Sequence, residues 1–215
     1  MHRLNREAVS PPACLRTLQH GIHQWNDVTP EQKKEIHAHL ERLQGRLCAY
    51  CEGPLDKLGG HIEHFFHRDG HHHLTFEWSN LLWCCDRHDS CGHYKDSEGK
   101  PYDTNYLIDP TRDDPDRYFR FNQKGTISIR EGLSVQDQVR AKETLRVLGL
   151  DAEFGRLRRM RREAVAAYDA LEPGILDALM EWPEEVRREF VRQELERTFS
   201  QPFFTVIRHL FEGLA

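Results

Sequence analysis

The chain contains no apolar run approaching the ~20 residues that cross a bilayer, which argues against a membrane-spanning helix. Its first residues, MHRLNREAVSPPACL, lack the apolar centre of a secretory leader, so a cytoplasmic location is expected. Positive charge is not in excess: Lys and Arg total 30 against 35 Asp and Glu, a net charge of −5. That sign argues against a simple nucleic-acid coat, although a local basic patch still suffices to hold phosphates. The acidic excess also leaves room for a basic partner. Internal repeats and low-complexity segments are absent too, which sets repeat architectures aside.

What remains is a polar globular chain of 215 residues, 38% hydrophobic and 30% charged. It is long enough for one sizeable domain, or for a small one with a helical extension. Its unusual content is six cysteines and fourteen histidines. In a cytosol cysteines stay reduced, so paired spacings point to metal rather than to disulfides. Cys14 stands alone. Cys48, Cys51, Cys84, Cys85 and Cys91 fall within one stretch, together with most of the histidines. Cys48-x-x-Cys51 and Cys85-x5-Cys91 form two pairs, and two knuckle-like pairs can close a tetrahedral structural Zn2+ site. Cys84 is an alternative to Cys85, and His88 inside the long second spacing is a substitute ligand.

Thr29-Pro30-Glu31 has the composition of a helix start, with Thr as cap and Pro in the first turn. Ile36, Leu40, Leu43 and Leu47 follow at helical spacing, so residues 15–47 read as helical. Short strands are expected at His61–Arg68 and Leu74–Trp78, joined through Asp69-Gly70, with a helix within Asn80–Lys95. Gly125 separates Phe119–Phe121 from Thr126–Ile129, which predicts a small hairpin. The rest is helical, broken at Pro173-Gly174, Trp182-Pro183 and Gln201-Pro202. Four regions are expected: an N-terminal helical segment (1–47), a metal-rich motif (48–100), a turn-rich segment with the hairpin (101–133) and a C-terminal helical region (134–215). The fold class is therefore mainly α with a small ββα insert, α+β.

Between the cysteine pairs stand His61-Ile-Glu-His64-Phe65, Trp78-Ser-Asn80-Leu81 and Cys91-Gly-His-Tyr-Lys95. This order resembles the HNH endonucleases, whose ββα-metal motif places a His on the first strand and an Asn near the second. With Leu47-Cys-Ala-Tyr-Cys-Glu52, Ile108-Asp-Pro110 and Pro115-Asp-Arg-Tyr-Phe119, it is more similar to HNH proteins of anti-phage systems. These are the PtuB component of Septu and its retron-associated relatives. The resemblance covers roughly residues 25–150. It implies hydrolysis of nucleic-acid phosphodiesters, DNA ahead of RNA, under control of a partner ATPase of the PtuA kind. A homodimer within a larger complex fits the same picture.

The chemistry asks for these residue types. A neutral imidazole, with an ordinary pKa of about 6.5, can take a water's proton near neutral pH, and His64 is assigned that role. A divalent ion, Mg2+ by expectation, would bind the scissile phosphate, with Glu63 as its carboxylate ligand. Asn80 would hold the His64 imidazole, as the resemblance implies. His61 falls on the opposite face of a strand from His64. One departure stands out: Gly92 sits where HNH proteins usually carry a metal ligand, and His93 follows it. A shift of one helical residue rotates a side chain by ~100°. His93, Asp89 and Asp96 are therefore all candidates for the second ligand. Gly92 also sustains a rival reading, a zinc-stabilised module that binds nucleic acid or protein without cutting. The run His71-His72-His73 reads as a polar loop. Arg158, Arg161 and Arg162 share a helix face and suggest either a solvated face or a phosphate contact.

Overall fold

The computed structural model describes residues 1–97 and 101–214; the regional boundary expected at residue 100 lies outside them. The chain is mainly helical with two small two-stranded antiparallel sheets, α+β as expected. It divides into two units, Met1–Tyr118 with Leu133–Leu150, and Phe119–Gly132 with Asp151–Ala215. No helix among the described residues is long and apolar enough to cross a membrane.

The first unit opens with 3₁₀ turns and then helix α1, Pro30–Gln44. Thr29 Oγ1 accepts from the Gln32 N–H while the Gln32 side chain accepts from the Thr29 N–H. This reciprocal cap fixes the start, and Gly45 in the left-handed region (φ 62°) ends the helix. The helix is shorter than the expected 15–47. Gly21 turns the chain at φ 83°, and Gln24–Asp27 closes a capped turn of its own. Ile36 and Leu40 are fully buried, while Leu47 lies past the helix end.

After the short helix α2 (Leu55–Leu58) come strand β1 (Gly60–His64), strand β2 (Leu81–Cys85) and helix α3 (Cys91–Lys95). The strands pair antiparallel, with His61 opposite Cys84, Glu63 opposite Leu82 and His64 opposite Leu81. The second strand is therefore not at Leu74–Trp78, which instead runs into the 3₁₀ turn Trp78–Asn80. The helix expected within Asn80–Lys95 is confined to α3 at its end, with Leu81–Cys85 a strand and a loop between them. Leu81, Leu82, Cys84 and Cys85 are all buried, so β2 is covered on both faces, and such strands are continuous apolar runs rather than alternating ones. One face joins Ile62, Leu81 and Trp83 to the α1 residues Ile36 and Leu40. The free edge of β2 is covered at Trp83: Gln44 Oε1 accepts from the Trp83 N–H at 2.9 Å, and the Trp83 carbonyl accepts from Gln44 Nε2 at 2.8 Å and from the Ala49 N–H at 3.1 Å. Helix α4 (Val135–Val147) completes the unit, and the Leu148 carbonyl just beyond it accepts from the Cys91 N–H, seating the start of α3.

The second unit holds the expected hairpin, β3 (Phe119–Phe121) with β4 (Ile127–Ile129), and helices α5 (Arg156–Leu171), α6 (Ile175–Glu181), α7 (Glu184–Thr198) and α8 (Phe204–Leu210). The three expected breaks fall between these helices. Gly125 (φ 75°) lets the hairpin lie on the α5 backbone, since a Cβ there would collide with the Arg158 carbonyl. Arg161, only 1% exposed, donates to the Gly125 carbonyl at 3.0 Å, and Arg158 pairs with Asp151 at 2.7 Å. Two of the three arginines on the basic face are thus engaged within their own unit. Tyr168, Leu179, Val191, Ile207 and Phe211 form a buried core cluster in this unit, which takes in the last helix.

Candidate functional site

The cysteine cluster forms where the two knuckles meet. Residues 48–54 close a tight turn: Glu52 takes φ 62°, its N–H reaches the Cys48 carbonyl, and Cys48 N–H reaches the Gly53 carbonyl. Backbone N–H groups of Gly53 and Cys85 point at the sulfurs of Cys51 and Cys48, at 3.4 and 3.3 Å. The sulfurs of Cys48, Cys51, Cys85 and Cys91 all lie within 4.8 Å of one another, and all four residues are buried. Cys48 to Cys91 is 3.7 Å and Cys51 to Cys85 is 4.0 Å. A tetrahedron with metal–sulfur bonds of ~2.3 Å requires sulfur–sulfur distances of ~3.8 Å, so the set fits zinc. None of the six cysteines forms a disulfide. Cys84, opposite His61 in the register, is not in the cluster, and His88 instead stacks on His93 with ring centres 4.7 Å apart.

One face of β1 carries His61 and Glu63 toward α3. Glu63 is 3% exposed, and its Oε1 receives Lys95 Nζ at 2.9 Å and, at 3.4 Å, the Tyr50 hydroxyl. Burial pushes the Glu63 carboxyl up, but Lys95 and His61 outweigh it and hold it below the usual carboxylate range. Lys95, with no exposed side-chain surface, also meets Asp96 at 2.8 Å and donates to the His64 carbonyl at 3.0 Å. Burial works against its charge, yet Glu63 and Asp96 together raise its pKa above the ordinary lysine value. Lys95 thus ties α3 to the end of β1. Lys95→Met should destabilise the protein by about 3–5 kcal/mol, because it strands a buried carboxylate. Denaturant unfolding at pH 7 measures this, and adding Glu63→Gln should restore much of the loss. A single variant as stable as the parent would refute the clamp.

Beside Glu63 lies a second ligand group. One donor atom each of His61, Asp86 and His93 falls within 4.8 Å of the others. His93 Nε2 donates to Asp86 Oδ1 at 2.6 Å, and the His61 and His93 rings stack 4.1 Å apart. Glu63 touches this group through His61, at 3.4 Å. Among the sequence candidates, His93 is thus brought to the group. Asp89 and Asp96 are not members of it, and Glu63 stands beside it. Asp86 and His61 were not foreseen as ligands. The run His71–His73 forms no such group among the described residues.

His64 faces the other side of β1, where it is 6% exposed against the Trp25 ring, with centres 4.5 Å apart. Its Nε2–H donates to the Thr75 carbonyl at 3.0 Å, which leaves Nδ1 as the acceptor nitrogen. Burial, aided by Arg68, lowers its pKa to about 4. Asn80 does not bond the imidazole. Its Oδ1 accepts from the Phe66 N–H at 2.7 Å, and its Nδ2 donates to the carbonyls of Phe66 and Leu74, both at 3.1 Å. It therefore pins the loop that presents Thr75 to His64. Trp25 and Thr75 also line an open groove with His20, His23, Arg68 and His72.

No protein-family model matches the chain. Across 137 residues it is 26% identical to the Retron Vc95 putative HNH endonuclease of Vibrio cholerae serotype O1 biovar El Tor. That match covers 60% of this chain and 64% of the length of the relative. The chain is thus a distant homologue of a protein described as a putative HNH endonuclease, and it holds a four-cysteine cluster and a His/Asp group consistent with metal binding.

Proposed function

We propose that the protein is a metal-dependent nuclease of the HNH type that hydrolyses nucleic-acid phosphodiesters, with a structural zinc on Cys48, Cys51, Cys85 and Cys91. The observation that carries this is the tautomer of His64: Nε2–H is held by the Thr75 carbonyl, so Nδ1 is available to accept a proton. General-base work requires a neutral imidazole, and burial keeps His64 neutral. Asn80 acts through the loop it pins and so positions the base. A divalent ion held by His61, Asp86 and His93 would supply stabilisation of the leaving oxygen. Base and ligand group lie on opposite faces of β1.

Arg68 lines the groove next to His64 and is the cation placed to meet a neighbouring phosphate. Arg68→Ala should weaken nucleic-acid binding evenly across sequences and lower the salt slope by about 1. Binding titrations over a range of salt concentrations check this, and an unchanged slope would remove Arg68 from the interface. In the finer reading, the protein is the nuclease of an anti-phage system, acting mainly on DNA and restrained by a partner ATPase. Its test is incubation of the purified chain, alone and with a candidate partner ATPase, with plasmid DNA and with total RNA plus divalent metal. Binding without cleavage under every condition would favour the non-catalytic module.

A further inference from the structure

The groove beside His64 is lined by two segments. His20 and His23 flank the turn at Gly21 (φ 83°) in one, and Arg68, Asp69 and His72 belong to the other. The groove reaches the base, because Trp25 packs on the His64 ring and Thr75 supplies the carbonyl that holds His64 Nε2–H. On the nuclease reading, a nucleic-acid strand cut at His64 carries its neighbouring phosphates along this groove. Permanent charge does not suit the groove to that task. Arg68 is the only lysine or arginine among the lining residues, Asp69 offsets its charge, and the whole chain carries −5. Imidazole is what the groove has in quantity.

The histidines around it are not equivalent. His23 Nδ1 accepts from the Gln19 N–H at 3.1 Å, so it offers Nε2–H as a donor and cannot protonate without losing that bond. In the second segment, His67 Nδ1 accepts from the Asp69 N–H at 3.2 Å and His71 Nδ1–H donates to the His67 carbonyl at 3.2 Å, so these two rings hold the loop's own shape. His20 and His72 are exposed, and their rings have no partner among the described residues. The His72 backbone is nonetheless fixed: its carbonyl accepts from Thr75 Oγ1–H at 2.8 Å, and Asn80 Nδ2 holds the Leu74 carbonyl. Two free imidazoles are thus held on opposite segments of one groove.

We infer that His20 and His72 are the phosphate ligands of this groove and that they become charged as a nucleic-acid strand docks, so that binding takes up protons. The inference rests on the nuclease reading for the position of that strand. An imidazole in ordinary surroundings is mostly neutral at pH 7, and a phosphate beside it favours the charged form. The other charged and titratable groups lining the groove are Arg68, which opposes that charge, Asp69, which favours it, and His23. With the first two offsetting each other, the docked phosphate decides the outcome. His64 takes no part near pH 7, since burial holds its pKa at about 4. Each imidazole that becomes charged on a phosphate also adds about 0.9 to the salt slope on a duplex.

The test is calorimetric titration of the zinc-loaded full chain with a short mixed-sequence DNA duplex and, separately, with an RNA strand. Divalent ions are left out, and buffers of different ionisation enthalpy are compared. The parent should take up about one proton per chain near pH 7, shared by the two rings, and its salt slope should be steeper by about 1–2 at pH 6 than at pH 8. Replacing both rings, His20→Gln with His72→Gln, should remove most of the uptake and of the slope difference, because glutamine keeps an N–H donor but cannot become charged. His73→Gln, in the same loop but not lining the groove, should keep both. Zinc content and melting confirm that each variant is folded. Binding without proton uptake, or uptake unchanged in the double variant, would overturn the inference and leave the nuclease reading intact. Proton-linked binding by a chain that never cuts sustains the inference and removes the nuclease reading instead. A chain that binds neither nucleic acid at any pH overturns both.

Discussion

His64→Ala is expected to lower phosphodiester cleavage by about 10²–10⁴-fold, with zinc content, folding and nucleic-acid affinity close to the parent's. The residue contributes a proton acceptor, not a phosphate contact, so the loss should appear in kcat rather than in binding. His61→Ala is the informative companion. It should lose divalent-ion binding where His64→Ala keeps it, because the two side chains leave β1 on opposite faces. An active His64→Ala enzyme would end the general-base assignment.

The pH profile sharpens this prediction. From an ordinary imidazole value, activity would fall as pH drops through about 6.5. In the folded chain burial lowers the His64 pKa to about 4, so the base stays neutral through the mildly acidic range. The acid limb of kcat/KM should therefore lie near pH 4. A bound phosphate anion opposes Arg68 and raises the His64 pKa, so the limb of kcat should lie at higher pH. Stability follows the same sign. Below about pH 6.5 the unfolded chain takes up a proton that the folded chain refuses until about pH 4, so stability falls across that interval. For this one group the loss is ~3 kcal/mol. His64→Ala should remove that part of the acid sensitivity, and melting curves between pH 4 and 7 measure it. An acid limb of kcat/KM that remains at 6.5 would show that a different group controls it.

Elements with strong local signals were legible in the sequence. The Thr29 cap, the hairpin around Gly125 and the proline and glycine breaks among the C-terminal helices are fixed by residues close to the bond they make. The cysteine pairs were legible because their spacing itself describes a knuckle. Strand β2 was not. Leu81–Cys85 is an apolar run covered on both faces, and periodicity cannot distinguish such a strand from a short buried helix. That displacement hid the ligand group. Asp86 follows the last residue of β2 and its N–H bonds the Gly59 carbonyl, so it faces His93 only once the register is known. The signal for His61 was Gly92: a glycine inside a short helix marks a close approach. Sequence order correctly put His61 and His64 on different faces, but it could not say which face meets α3.

Cys85→Ser and Cys84→Ser, neighbours on one strand, should behave oppositely. Cys85 belongs to the four-sulfur cluster and Cys84 does not. Structural zinc sites contribute apparent binding energies of about 10–16 kcal/mol, comparable to or larger than the ~5–15 kcal/mol net stability of a folded domain. Cys85→Ser, Cys48→Ser or a strong chelator should therefore unfold the ββα segment. Both knuckles, the end of β2 and the start of α3 lose their common anchor at once. Cys84→Ser should keep about one zinc per chain and lose only the ~1–3 kcal/mol of a buried hydroxyl that lacks a good partner. Hydrogen exchange locates the damage. In the zinc-free protein, protection should vanish across residues 48–95, which carry all four ligands. It should persist around Tyr168, Leu179 and Val191, whose core contains no ligand. Purified protein without zinc would end the zinc assignment, and Cys84→Ser failing where Cys85→Ser holds its metal would reverse the assignment of the fourth ligand.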